Sequence, residues 1–288
     1  MKKIAIITGA SSGMGKEFAI QVAQKNEFDE IWIIARRTEK LEALANEINS
    51  KNHFNIVRPV TMDISGQEGV QKFKDFLEEE NKAYEKITSG IEIGLLVNNA
   101  GYGTYGPFEQ TSNKRQMDMI DLNCTSLTGI CWVCLPYLKK GSIIINTASL
   151  AAFMPLGNFA VYAATKAYVL SFSVALAAEL EPKGINVCAL CPGSVSTEFA
   201  NVASNGARKE VKGGYDPVKV VKHCLRKAYK GKKIAVWAPK WKFNAFLSRI
   251  VGRFTVAKFE FKYHPRPHNP DEDMKNQTEN VSIDDFLV

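Results

Sequence analysis

Lys3-Ile4-Ala5-Ile6-Ile7-Thr8-Gly9-Ala10-Ser11-Ser12-Gly13-Met14-Gly15 sets the reading of the whole chain. An apolar run of strand length empties into a turn with glycines at 9, 13 and 15, and an amphipathic stretch of helix character, 15–25, follows. A strand, a glycine-rich turn and a helix in that order leave backbone amides and the positive helix end facing the space beyond the strand, which makes an anion site. Gly9, Gly13 and Gly15 would let a pyrophosphate approach the main chain, with Ser11, Ser12 and Met14 filling the turn. The spacing is not G-x-G-x-x-G, and a purely structural turn uses the same residues, so the turn needs company before it names a ligand.

Working outward, strand-length apolar runs alternate with helix-length amphipathic ones, the pattern of βαβ units and a parallel sheet covered on both faces. Strands are expected at 3–8, 30–35, 55–61, 94–98, 141–147, 185–191 and 233–238, and helices at 15–25, 40–50, 68–80, 112–138, 159–180 and 217–229. The fold class is therefore α/β, a Rossmann-type doubly wound fold with a seven-stranded parallel sheet. A chain of 288 residues, 45% hydrophobic, can bury one sizeable core. One domain is expected over 1–262, with a basic amphipathic extension at about 239–262, followed by an acidic tail, 263–288, poor in core formers and expected to be disordered. Residues 194–214 have little apolar periodicity and read as a mobile segment over the strand ends. No run of eighteen apolar residues and no leader-like start occur, so the protein is read as neither secreted nor membrane-spanning, and as cytoplasmic.

The net charge of +7 is uneven: the tail from Tyr263 carries −4, leaving +11 on the body. Ten basic residues fall in 227–262, where Glu260 is the only acid. No nucleic-acid recognition motif accompanies them, so no nucleic-acid partner is expected. Six cysteines include two CxxC pairs. Cys188 and Cys191 sit in a strand, where an odd separation points them to opposite faces, so they cannot close a zinc cage with Cys131 and Cys134. No metal is expected, and the thiols read as buried and reduced.

Further motifs fall in register along the chain. Asn98-Asn99-Ala100-Gly101 follows the fourth strand, Asp63-Ile64 the third, and Pro192-Gly193 with Val195 and Thr197 the sixth. With Thr8-Gly9, Gly13 and Gly15, these resemble the TGxxxGxG turn, NNAG, adenine-side acid and nicotinamide-side loop of the short-chain dehydrogenase/reductase family, over about residues 1–238. That resemblance implies a nicotinamide dinucleotide cofactor. Asn98 and Asn99 could equally tie the sheet to neighbouring main chain. The second strand ends in Arg36-Arg37 where an acid would accept from a ribose 2′-hydroxyl. Guanidinium pairs well with a 2′-phosphate, so the choice favours NADP(H), a solvated helix start being the plainer reading.

Tyr162 and Lys166 stand four apart on a helix, hence on one face. A free phenol has a pKa of about 10, and a fixed cation beside it is expected to lower it into useful range for proton exchange with a carbonyl or alcohol. YxxxK is common on exposed helices, but here Ser149 precedes it, just beyond a strand, where its hydroxyl can hold a substrate oxygen. Asn123 completes the Asn, Ser, Tyr, Lys tetrad of the family. The resemblance implies that Asn123 distorts its helix and holds a water leading to the lysine, and that Lys166 also bonds the nicotinamide ribose.

The substrate side says less. Phe153, Met154, Pro155, Leu156 and Phe159 suggest an apolar mouth, or plain core in the case of Phe153 or Phe159. Phe243, Phe246, Leu247, Ile250, Val251 and Phe254, with Lys242, Arg249 and Arg253 elsewhere on the turn, form an amphipathic basic helix. Packing against the body or another subunit is preferred for it over peripheral membrane contact. The expected function is interconversion of a carbonyl and a secondary alcohol on a small apolar substrate, of hydroxysteroid or other lipophilic ketone type. A 3-oxoacyl thioester reductase and a silent NADP(H) sensor are the alternatives. The family's frequent homodimers and homotetramers imply pairing through the fourth and fifth helices.

Overall fold

The structure is a computed structural model that describes residues 1–51, 55–209 and 213–271. Strands β1 (Lys2–Thr8), β2 (Glu30–Ala35), β3 (Val57–Thr61), β4 (Ile91–Asn98), β5 (Ile143–Thr147), β6 (Asn186–Leu190) and β7 (Ile234–Ala235) form one parallel sheet in the order β3-β2-β1-β4-β5-β6-β7. The strands are nearly all apolar because both faces are covered. Within β1, Ala5 and Ile7 enter one core while Ile4 and Ile6 enter the other. Helices α1 (Gly13–Ala23), α2 (Thr38–Asn49) and α8 (Pro217–Tyr229) close the first side with Phe18, Leu41 and Val221. Helices α3 (Gly66–Glu85), α5 (Leu127–Cys134) and α6 (Ala160–Leu180) close the second with Phe73, Ile130 and Val169. The strand order reverses between β1 and β4, and the crevice beyond their carboxyl ends is where such sheets bind ligands.

Departures from the sequence reading have local causes. The helix expected over 112–138 is three pieces: α4 (Asn113–Ile120), a widened π turn at Asp121–Ser126, and α5, before a 3-10 turn at Leu135–Tyr137. The last strand keeps two residues, because Ala238 at φ +65° turns the chain away into α9 (Pro239–Leu247). Gly252 then separates α9 from α10 (Arg253–Tyr263), where one continuous helix was expected. The apolar face does not pack on the body of this chain. Trp241 and Ala245 are buried, and Phe243, Phe246, Leu247 and Ile250 point outward.

Part of the 194–214 segment is regular, with α7 (Phe199–Ala203) and a parallel bridge from Val195 to Tyr215. The tail expected to be disordered over 263–288 begins inside α10 and is docked as far as Asp271. The Asn269 amide donates to the Ser204 carbonyl (3.0 Å), and Asp271 accepts from the Ser112 amide (3.1 Å) and Arg115 (3.2 Å). A polar strap can be held by backbone partners without any core residue of its own. The rest of that expectation, 272–288, lies outside the described residues.

Candidate active site

A cavity of about 1180 Å³ runs along the carboxyl ends of the strands, from the β1 turn to Tyr162. Its floor depends on bare backbone. A Cβ on Gly15 would lie 2.1 Å from the Gly9 carbonyl oxygen, so α1 can start this close to the sheet only without a side chain there. Thr8 Oγ1 accepts from the amides of Asn99 (3.0 Å) and Ala100 (3.1 Å), and Asn99 Nδ2 donates to the carbonyls of Thr8 (3.1 Å) and Gly9 (3.3 Å). Asn99 thus ties β4 to the turn while also lining the cavity, and Asn98 ties β4 to Asn146 (2.9 Å). Pro192, Gly193, Val195 and Thr197 form the facing wall, Thr197 lying over Gly13. Ser11, Ser12, Met14, Asp63, Ile64 and Gly101 also line the space.

The cations expected near a 2′-phosphate are engaged differently from each other. Arg37 donates to Ser11 Oγ (3.0 and 2.9 Å) and Ser12 Oγ (2.7 Å) and pairs with Glu198 at 2.7 Å. Lys40 pairs with the other Glu198 oxygen, also at 2.7 Å. Lys40 and then Arg37 hold the Glu198 carboxyl down at about 2. Arg36 is exposed, 3.9 Å from Asp63. Lys40 and Glu198 were missed by the sequence reading. Lys40 could have been found, since it lies one turn past Arg36, whereas nothing near Glu198 announces its reach to a helix 158 residues earlier.

The four tetrad residues come together at the other end. Ser149, just past β5, accepts from the Ala151 amide (3.1 Å) and donates to the Pro192 carbonyl (3.4 Å), and it is near enough to the Tyr162 phenol to pull its proton affinity down. Lys166, one turn further along α6, donates to the Thr147 carbonyl (2.8 Å) and stands 5.7 Å from the Tyr162 ring centre. Asn123 lies in the π turn, where the helix has widened. Its Nδ2 donates to the Tyr102 carbonyl (2.9 Å) and Thr165 Oγ1 (3.1 Å), and its Oδ1 accepts from the Tyr102 amide (3.1 Å). Thr165 in turn donates to the Tyr162 carbonyl (2.8 Å), so Asn123 braces the turn of α6 that carries the tyrosine. A Cβ on Gly101 would stand 2.7 Å from Asn123 Oδ1.

One expectation is overturned. Burial pushes the Tyr162 phenol above its ordinary range, against a smaller downward pull from Ser149. The ring is stacked on Phe159 at 4.1 Å, and the Lys166 ammonium is directed to a carbonyl. Burial also brings Lys166 down to about 8. Desolvation, which disfavours either charged form, is the largest influence on both groups.

On the substrate side, Met154, Leu156 and Phe159 line the cavity as expected, but Phe153 turns into the core beneath α6. Tyr102, Tyr105, Phe199 and Val202 join the apolar wall. Arg266, from the docked tail, lies 5.0 Å over Phe159 and 5.7 Å over Tyr105, and a side chain in a stretch read as disordered could not be found from sequence. Cys188 and Cys191 face opposite cores, as their strand spacing requires.

Residues 3–207 match the family described as short chain dehydrogenase. The chain is 34% identical over 189 residues to a very-long-chain 3-oxoacyl-CoA reductase of Coccidioides immitis, a match covering 64% of this chain and 50% of that protein. It is 32% identical over 214 residues to the 17-beta-hydroxysteroid dehydrogenase type 3 of Mus musculus, covering 73% and 65%. The chain thus spans between half and two thirds of these two relatives. A short-chain dehydrogenase from Sphingobium yanoikuyae, solved in complex with NADPH, superimposes with a TM-score of 0.72 at 25% identity, covering 87% of this chain and 94% of that one.

Proposed function

The chain belongs to the short-chain dehydrogenase family, and from that premise we propose that it interconverts a ketone and a secondary alcohol on an apolar substrate with NADP(H). The observation that carries this reading is that Ser149, Tyr162 and Lys166 line the apolar end of the same cavity whose other end is the glycine turn. The glycine floor and the donor set fit a dinucleotide. Arg37 and Lys40 already converge on a carboxylate, so they form an anion site at the place where a 2′-phosphate would distinguish NADP(H) from NAD(H). When bound, the nicotinamide supplies or accepts the hydride.

The protein's own groups do the rest. Ser149 and Tyr162 would share the carbonyl oxygen, Tyr162 giving its proton as negative charge develops there and taking it back in the reverse direction. A phenol kept neutral by burial suits the donor role, and a dry site strengthens each hydrogen bond to that oxygen. Lys166, fixed by Thr147, and Asn123, bracing α6, keep the tyrosine aimed. Phe159, Met154 and Leu156 favour an apolar substrate. The named relatives support two classes within this reading, a hydroxysteroid-type alcohol or ketone and a 3-oxoacyl thioester. The proposal includes a cytoplasmic setting, supported by six cysteines standing as free thiols. It also includes a homodimer or homotetramer through α5 and α6, supported by exposed Trp132, Tyr168 and Val174.

The test is NADPH oxidation by pure protein against steroid ketones and 3-oxoacyl thioesters, beside Tyr162→Phe. The variant should lose about 10²- to 10⁴-fold in kcat while binding NADPH unchanged. Tight NADPH binding without turnover of any carbonyl would support a sensor instead.

A further inference from the structure

The outward side of α9 is an apolar stripe with a cationic rim. Phe243, Phe246, Leu247 and Ile250 recur at helical spacing and are 62%, 58%, 40% and 68% exposed, Ile250 lying on the turn that continues the helix. The stripe cannot roll inward, because the opposite side is wedged. Trp241 fills the space beside Gly193, where a Cβ would lie 2.2 Å from the indole, and meets the Tyr215 ring edge-on at 4.7 Å. Phe254 and Phe259 of α10 extend the exposed aromatic surface.

The charges around the stripe are of one sign. Lys242 and Arg249 lie along one edge, Lys240 along the other, and Arg253, Lys258 and Lys262 follow on α10. Among the described residues none of these six is paired with an acid. Glu260, the only acid among them, is taken by Arg266 (3.2 Å) and His264 (3.1 Å).

We propose that α9 and the turn after it dock the protein on an anionic lipid surface, the stripe entering the acyl boundary and the rim meeting lipid phosphates. The geometry is that of an interfacial helix: apolar residues on one side, cations at both margins. A second copy fits less well, since a two-fold contact through this stripe would bring the unpaired cations of both copies together. Trp241 and Asn244 on the inner side, with Lys240 at the margin, line the cavity, so docking sets the cavity wall against the lipid. This surface is independent of the proposed chemistry, and its failure would leave that reading untouched.

The experiment is co-sedimentation of the full chain with vesicles of phosphatidylcholine containing about 30% phosphatidylserine, and of phosphatidylcholine alone, at about 0.15 M salt. The protein should partition to the anionic vesicles at least tenfold better than to the neutral ones. Lys242→Glu with Arg249→Glu, and separately Phe243→Ser with Phe246→Ser, should each cost at least tenfold, with thermal melting and NADPH affinity unchanged. Three results would overturn the proposal: no binding of the wild-type chain to anionic vesicles, equal binding by both variants, or a solution dimer that Phe243→Ser with Phe246→Ser dissociates while vesicles capture nothing.

Discussion

Replacing Glu198 by Gln tests how the cavity chooses between the two dinucleotides. The Glu198 carboxylate takes two short contacts, 2.7 Å each, from Arg37 and Lys40, and a 2′-phosphate must displace it to use the same cations. All three side chains are nearly half exposed, at 45–49%, so solvent screening reduces each pair to about 0.5–1 kcal/mol despite the low carboxyl pKa. Removing both contacts should tighten NADPH by about 1 kcal/mol, roughly fivefold in Kd, and leave NADH unchanged because it has no phosphate to place there. Calorimetric titration of both dinucleotides into wild type and Glu198→Gln measures this. The advantage should shrink as salt rises. An unchanged NADPH Kd, or an equal gain for NADH, would refute the argument that these groups compete for one site.

Arg36→Asp should shift the NADPH to NADH ratio of kcat/KM toward NADH, with an unchanged ratio assigning Arg36 to solvent. Gly101→Ala drives a methyl to 2.7 Å from Asn123 Oδ1, so about 1–3 kcal/mol of stability and most of kcat should be lost, which urea unfolding and initial rates would show. Lys166 has a folded pKa of about 8 against an ordinary 10.5, so between those values the unfolded chain holds a proton the folded one has released. Its contribution is full above pH 10.5 and is lost as pH falls through 8, a change on the order of 3 kcal/mol. Unfolding free energy should therefore rise from pH 8 to pH 10 in wild type, with that rise removed in Lys166→Met. Parallel pH profiles for the two proteins would contradict the burial argument.

What could be read from sequence was what local pattern determines. Ile4 to Ile7 and Ile31 to Ile34 announce strands covered on both faces, and the turn at 9–15 fixes the crevice. Spacing on one helix face pairs Tyr162 with Lys166, while the family resemblance adds Ser149 and Asn123 to them. What escaped was set by distant contacts. The outward face of α9 follows from the wedge of Trp241 beside Gly193, and apolar periodicity alone cannot tell a face that packs from one left open. Glu198 and Arg266 act across the fold without any local signature. The phenol's proton affinity was misjudged because spacing counts charges and not the water that burial removes.

The docked strap also orders events in time. Asp271 reaches Ser112 and Arg115 across 159 and 156 residues of chain, whereas the matched family stretch ends at residue 207. During synthesis, β1 to β6 and the glycine turn precede residue 207, while the wall holding Arg266 is still unmade. A nascent molecule should therefore acquire cofactor affinity well before it can discriminate among substrates, since such long-range closures come late in chain elongation.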